Sequence, residues 1–371
     1  MLSWVEIKRS AIECNLKSFR DLIGPSVLLV PVVKSNAYGH GILEVAHICD
    51  NTLEADRLAV VSLDEALLLR AGGIKKPIQV LSFFPLEEGA VIESLKNNII
   101  LPIFCLEQAR LINRVGERLG MVGTAHLKID TGTTRVGVVI QYLDAFISEV
   151  KKFTHLHLEG IWSHFSSSET NSFITKKQLS ILMQADETMK NHGICVPLRH
   201  IACTAASLLH PTSRLDAVRI GLGTYGLYPA SNCQKLIKLQ PVLSWKSTII
   251  QLKKVKKGVK ISYGGTYTMK NGGIIGVIPI GYYDGYDRAW SNKATVIING
   301  QRCPIRGRVC MNLMMVEVKK GNNARAGDQV TLIGQDNNEE IVVDELAKLT
   351  PDTVNYEITT RINPLIPRIM V

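Results

Sequence analysis

In the first two-thirds of the chain, apolar residues gather into short runs separated by stretches with helical spacing. The runs are Leu28–Val33, Leu58–Leu63, Ile78–Leu81, Ile99–Phe104, His126–Ile129, Leu158–Trp162, His200–Ala202 and Ala217–Ile220. Each is short and apolar, as buried strands are. Ile42, Val45, Ala46 and Cys49 lie three and four apart, the spacing of one helix face, and Ile12, Leu16, Phe19 and Ile23 repeat it ahead of the first run. Alternating strand and helix argues for parallel βαβ units. Eight such strands predict an α/β fold closed as a (β/α)8 TIM-type barrel rather than an open sheet.

After about Pro229 the helical spacing gives way to strand-like runs at Ser247–Leu252, Ile274–Ile280, Ala294–Ile298, Met314–Val318 and Gln329–Ile333. Asn299-Gly300 between two such runs signals a tight hairpin. We therefore expect a barrel over residues 1–230 and a mostly β C-terminal domain over 231–371.

Hydrophobic residues make up 46% of the 371, enough for a sizeable core and too many for a disordered chain. No run reaches the roughly 18 apolar residues of a spanning helix, and the N-terminus lacks a signal-peptide pattern. The eight cysteines are scattered with no C-x-x-C pair, which predicts reduced thiols, no metal site and a cytoplasmic protein. The net charge of +10 is dispersed, and no nucleic-acid recognition motif accompanies it. An anionic substrate and cofactor suit this charge; nucleic acid and membrane are not expected as partners.

Barrel enzymes place their chemistry at the C-terminal ends of the strands. There the sequence puts Lys34, then Lys128 and Asp130, then His164, the stretch His200–Thr204, and Arg219. A lysine after an apolar strand, partly desolvated, becomes an amine nucleophile. Lys128 and Asp130 share one face of their strand. They read either as a pair filling the barrel or as part of a site.

Four barrel segments resemble the alanine racemase family, which depends on pyridoxal 5′-phosphate. They are Pro31-Val32-Val33-Lys34-Ser35-Asn36-Ala37-Tyr38-Gly39-His40-Gly41, Leu127 to Gly137, Leu158 to Phe165, and Ala217 to Gly226. Val259 to Tyr267, Gly281 to Arg288 and Asn355-Tyr356-Glu357 extend the resemblance nearly to the C-terminus. The resemblance implies that Lys34 carries the cofactor. Tyr38, Thr204, Gly221, Leu222 and Tyr356 would hold its phosphate, His164 would pack on its ring, and Arg219 would face its ring nitrogen. Arg135 and the Met311 N–H would bind the substrate carboxylate. Lys128, carbamylated in some members, would orient Arg135 with Asp130 in support. Tyr282 and Arg288 would line the access channel. Members are head-to-tail homodimers with sites at the interface, so Tyr263 of the partner subunit would serve as second acid/base opposite Lys34.

The implied activity is interconversion of L- and D-alanine, supplying D-alanine for peptidoglycan. Two departures bear on the substrate. Asn312 stands where the family usually has aspartate, and Cys203 where most members have asparagine. Racemisation of serine or of a wider set of small amino acids is therefore the alternative. A decarboxylase of the same fold normally carries an acid where Arg219 stands, and a non-catalytic carrier of the cofactor lacks the β domain.

Overall fold

The computed structural model describes every residue, Met1–Val371. The chain forms two units, Ser10–Ser35 with Val45–Gln240, and Met1–Arg9 with Asn36–Glu44 and Pro241–Val371.

In the first unit eight parallel strands follow the order Leu28–Pro31, Ala217–Ile220, Leu198–His200, Leu156–Trp162, Gly123–Asp130, Ile99–Ile103, Ile78–Phe83 and Leu58–Ser62. The two ends of this order meet through a parallel bridge between Val32 and Ala59, with Val33 N–H donating to Ala59 O at 2.8 Å. Closure leaves no free edge. This is the expected barrel, and each expected run lies on or overlaps one strand.

The helices wrap it with their apolar stripes inward. Arg9–Ile23 buries Ile12, Leu16, Phe19 and Ile23. Leu63–Ala71 is capped by Ser62, whose hydroxyl accepts from Glu65 N–H. Leu106–Leu119 ends at Gly120 in the left-handed conformation.

The second unit is mostly β. Its main sheet runs Gln301–Pro304, Thr295–Ile298, Gln329–Asp336, Leu243–Thr248, Ser3–Ile7, Arg368–Met370. A second sheet joins Gln251–Val255, Gly273–Ile278 and Met314–Val318. Asn299 and Gly300, with φ of 49° and 70°, make the two-residue hairpin turn the sequence announces.

One expectation needs correction. The run Ser247–Leu252 is not one strand. It breaks at Ile249-Ile250, where the chain leaves one sheet for the other: Ile249 N–H donates to Asp328 O and Ile250 N–H to Val277 O. Apolar alternation continues through both halves, so the pattern hides the break. Two earlier segments group with the residues beyond 240. Ser3–Ile7 pairs antiparallel with Leu243–Ser247 and parallel with Arg368–Met370, so the N-terminal strand completes the β unit. Asn36–Glu44 also belongs there. No helix is long and apolar enough to cross a membrane.

Candidate active site

Lys34 follows the buried residues Val32 and Val33. The next four residues, Ser35, Asn36, Ala37 and Tyr38, all have φ between 51° and 56°. A left-handed turn costs non-glycine residues roughly 1–2 kcal/mol each, so specific bonds must hold it. Ser35 N–H donates to Glu65 Oε1 at 2.6 Å, while Glu65 Oε2 accepts from Val61 N–H at 2.9 Å. The Asn36 carbonyl accepts from the N–H groups of Gly39 and Gly41, and its side-chain oxygen from Ile42 N–H. Burial, and then the positive charge of Arg135, lower the basicity of the Lys34 amine; Glu65 opposes them.

Around the same strand ends lie Lys128, His164 and Arg219. Lys128 is 4% exposed, and its Nζ sits 4.2 Å from the centre of the Trp162 ring. Burial first, then Arg135 and Arg219, bring its pKa down to about 7. His164 is held neutral by burial and by the charges of Arg219, Arg135, Lys128 and Lys34. Arg219, 3% exposed, donates through Nη1 to His200 Nδ1 at 2.6 Å and through Nη2 to the carbonyls of Ser163 and Ile201 at 2.8 and 3.1 Å. Nη2 also lies 3.2 Å from His164 Nδ1. Burial lowers the Arg219 pKa to about 10, which leaves it charged at neutral pH.

Asp130 does not pair with Lys128. Its Oδ1 accepts from the N–H groups of Gly132, Thr133 and Thr134 at 2.9, 3.0 and 3.1 Å. It therefore shapes the loop that carries the exposed Arg135. Lys128 faces Trp162 instead, so the reading as a simple Lys–Asp pair fails.

Behind the last strand, Gly221 leads into the 3-10 turn Leu222–Tyr225, whose first amides have no partner within the turn. Thr204 is buried, and its hydroxyl accepts from Gly223 N–H at 3.3 Å. An added Cβ at Gly223 would sit 2.3 Å from the Phe19 ring, so this approach needs glycine.

In the β unit, the Tyr38 and Tyr356 rings meet edge to face at 6.2 Å. Tyr263 is 74% exposed. Ser262 before it has φ of 64°, and its hydroxyl donates to Arg308 O at 2.7 Å. Met311 and Asn312 are exposed; the Met311 carbonyl accepts from Tyr283 N–H at 3.0 Å. Tyr282 and Arg288 line a cleft of about 410 Å³ with Gly285, Asp287 and Arg361. Sequence reasoning missed Glu65 and the wall role of Trp162. Ser62-x-x-Glu65 is a legible capping pattern; nothing local marks Trp162.

Fold and strand-end cluster define a two-unit barrel enzyme centred on an amine. Family profiles described as alanine racemase, N-terminal domain, and alanine racemase, C-terminal domain, match residues 7–229 and 242–370. The chain belongs to the alanine racemase family and is an enzyme of that type. It is 37% identical over 369 residues to an alanine racemase of Desulfovibrio desulfuricans, covering 99% of this chain and 98% of the relative. It is 36% identical to alanine racemase 2 of Bacillus subtilis, covering 99% and 94%. The alanine racemase structure from Clostridium difficile superposes with a TM-score of 0.94 at 32% identity, covering 100% of this chain and 96% of that one. The Bacillus anthracis enzyme with bound L-Ala-P gives 0.91 at 34% identity, covering 100% and 95%.

Proposed function

We propose that the protein racemises alanine with pyridoxal 5′-phosphate, using Lys34 and Tyr263 of the partner subunit as acid/bases on opposite faces of Cα. The observation that carries this reading is the strand-end cluster itself. An amine of lowered basicity, Lys34, shares it with a buried arginine, Arg219, that has no carboxylate partner.

These residues fit the cofactor. Lys34 offers an amine whose basicity burial and Arg135 lower, the kind of group that adds to an aldehyde. The amides of Gly221 and Leu222, with the Thr204 hydroxyl, would donate to a phosphate, and Tyr38 and Tyr356 would lie beside it. Bound there, the cofactor supplies a sink for negative charge developing at Cα. Arg219 offers hydrogen bonds but keeps its proton at neutral pH, so that sink stays shallow. A shallow sink favours prompt return of the proton over elimination or transamination.

Lys34 Nζ moves the proton on one face, and the Tyr263 hydroxyl of the partner subunit on the other. Arg135, with a planar fork suited to carboxylates, and the Met311 N–H orient the substrate. Lys128 and Asp130 position Arg135, and His164 packs the pocket. Tyr356 limits side-chain size, which favours alanine. Asn312, neutral near the channel lined by Tyr282 and Arg288, supports serine or a broader set as the second reading. The high exposure of Tyr263 suits a residue that works in a neighbour's site within a homodimer. A cytoplasmic source of D-alanine for peptidoglycan fits this activity.

The test is loss of optical rotation from L-alanine, L-serine and L-lysine with the cofactor-loaded protein. Alanine is expected to lose rotation fastest. No racemisation of any of the three would overturn the reading. Lys34→Ala is expected to lose the visible absorbance of the bound cofactor.

A further inference from the structure

TIM-type barrels usually fill their interior with branched apolar side chains. Here a polar line crosses it. Arg219 is buried and makes no ion pair: Asp216, the acid nearest in sequence, is taken by Arg199 at 2.8 and 3.1 Å. A buried guanidinium with no counter-charge is costly. Its Nη1 donates to His200 Nδ1 at 2.6 Å. His200 Nε2 lies 2.9 Å from His126 Nδ1, and His126 Nε2 lies 2.8 Å from Glu159 Oε2. Arg57 grips both oxygens of Glu159 at 2.6 and 2.9 Å. The strand that follows Arg57 does not neighbour the strand of Glu159, so this pair spans the barrel.

The two ends dictate where the protons sit. An arginine only donates, and a carboxylate only accepts. His200 must therefore accept at Nδ1 and carry its hydrogen on Nε2, which donates to His126 Nδ1. His126 in turn carries its hydrogen on Nε2 and donates to Glu159. Burial keeps both rings neutral, with the Arg219 charge adding to the effect at His200. Burial opposes the Glu159 charge, but hydrogen bonds from His126 and Arg57 prevail and hold its pKa at about 2. Local packing serves the line as well. Trp162 stacks on His200 with rings 5.7 Å apart and 1° from parallel. Gly160 makes room for His126, since a Cβ there would sit 2.8 Å from its ring. Gln79 adds a second donor to His126 Nδ1 at 3.1 Å.

We propose that Glu159 is the remote counter-ion of Arg219, its charge relayed through His126 and His200, so that all three act as positioning residues for the arginine. Chains of hydrogen bonds polarise one another in a low dielectric. The Glu159 charge strengthens His200 Nδ1 as an acceptor and fixes the guanidinium in one orientation. Arg57 draws on the same carboxylate and tempers the effect. The relay stands on this geometry alone; its consequence for activity rests on the racemase reading of Arg219.

The test uses the full-length chain without cofactor. Proton NMR should show exchange-protected Nε2–H signals from His126 and His200. Glu159→Gln is expected to move both upfield. Arg57→Gln, which leaves the carboxylate to His126 alone, is expected to move both downfield. Opposite directions separate relay from general damage, and Arg57→Gln keeps the test open should Glu159→Gln fail to fold. In the loaded enzyme, Glu159→Gln should lower kcat roughly tenfold, the worth of one charge-assisted hydrogen bond, with a smaller effect on KM. A His200 signal that stays fixed in both variants, or moves the same way in both, overturns the proposal. Failure of the racemase reading would show separately, as no racemisation by the unaltered protein.

Discussion

Lys128 gives the most quantitative expectation. An ordinary lysine titrates near 10.5, so at pH 7 roughly one amine in three thousand is free; with its pKa at about 7, Lys128 is free in about half the molecules. Only a free amine adds carbon dioxide. The nitrogen–carbon bond forms, the nitrogen loses one proton, and a neutral amine becomes a carbamate anion among Arg135, Arg219 and Lys34, the charges that disfavour the protonated amine, with Asp130 opposing them. The pKa is lowered on folding, so between pH 7 and 10.5 the folded chain binds fewer protons than the unfolded one. Stability therefore rises with pH across that window, and below it the charged amine costs on the order of 5 kcal/mol. A carbamate at Lys128 would put an anion where this charged amine is disfavoured. With 13C-labelled bicarbonate, 13C NMR should show a protein-bound carbamate signal that is missing in Lys128→Gln. Bicarbonate should also raise the Tm of the unaltered protein at pH 7 to 8 and leave that of the variant unchanged. A signal absent from the unaltered protein, or persisting in Lys128→Gln, would refute this reasoning.

Three shorter expectations follow. Tyr263→Phe should leave cofactor absorbance intact and slow solvent exchange of the Cα proton more from L-alanine than from D-alanine; equal slowing would contradict the two-sided assignment. Gly39→Ala should destabilise the β unit by about 3 kcal/mol or more, because φ is +87° and the new Cβ would lie 1.9 Å from Thr359 O. Thermal unfolding checks it, and an unchanged Tm would mean that the Thr359 backbone yields freely. His40 is fully buried between the carbonyls of Ala37 and Tyr38, and burial lowers its pKa to about 4. The unfolded chain then binds the extra proton below about pH 6.5, so stability falls from there toward pH 4, by about 3 kcal/mol from this residue. His40→Gln should flatten that part of a Tm-versus-pH profile; an unchanged slope would assign the loss to other groups.

The eight barrel strands, the β texture beyond residue 230, the Asn299-Gly300 turn and the strand-end positions of Lys34, Lys128, His164 and Arg219 are legible in the residue order. These are local properties. Strand period, turn chemistry and strand ends are written in neighbouring residues. Folding in three dimensions set the rest: Ser3–Ile7 completes the distant β sheet, the run at Ile249-Ile250 changes sheets, and Asp130 holds a loop rather than Lys128. It alone also brought together Arg57, His126, Glu159, His200 and Arg219. Those residues come from separate strands and loops, so no window of sequence contains them. Their pairing depends on which strands the closed barrel sets face to face, and each reads in isolation as an unremarkable polar residue in or beside a strand.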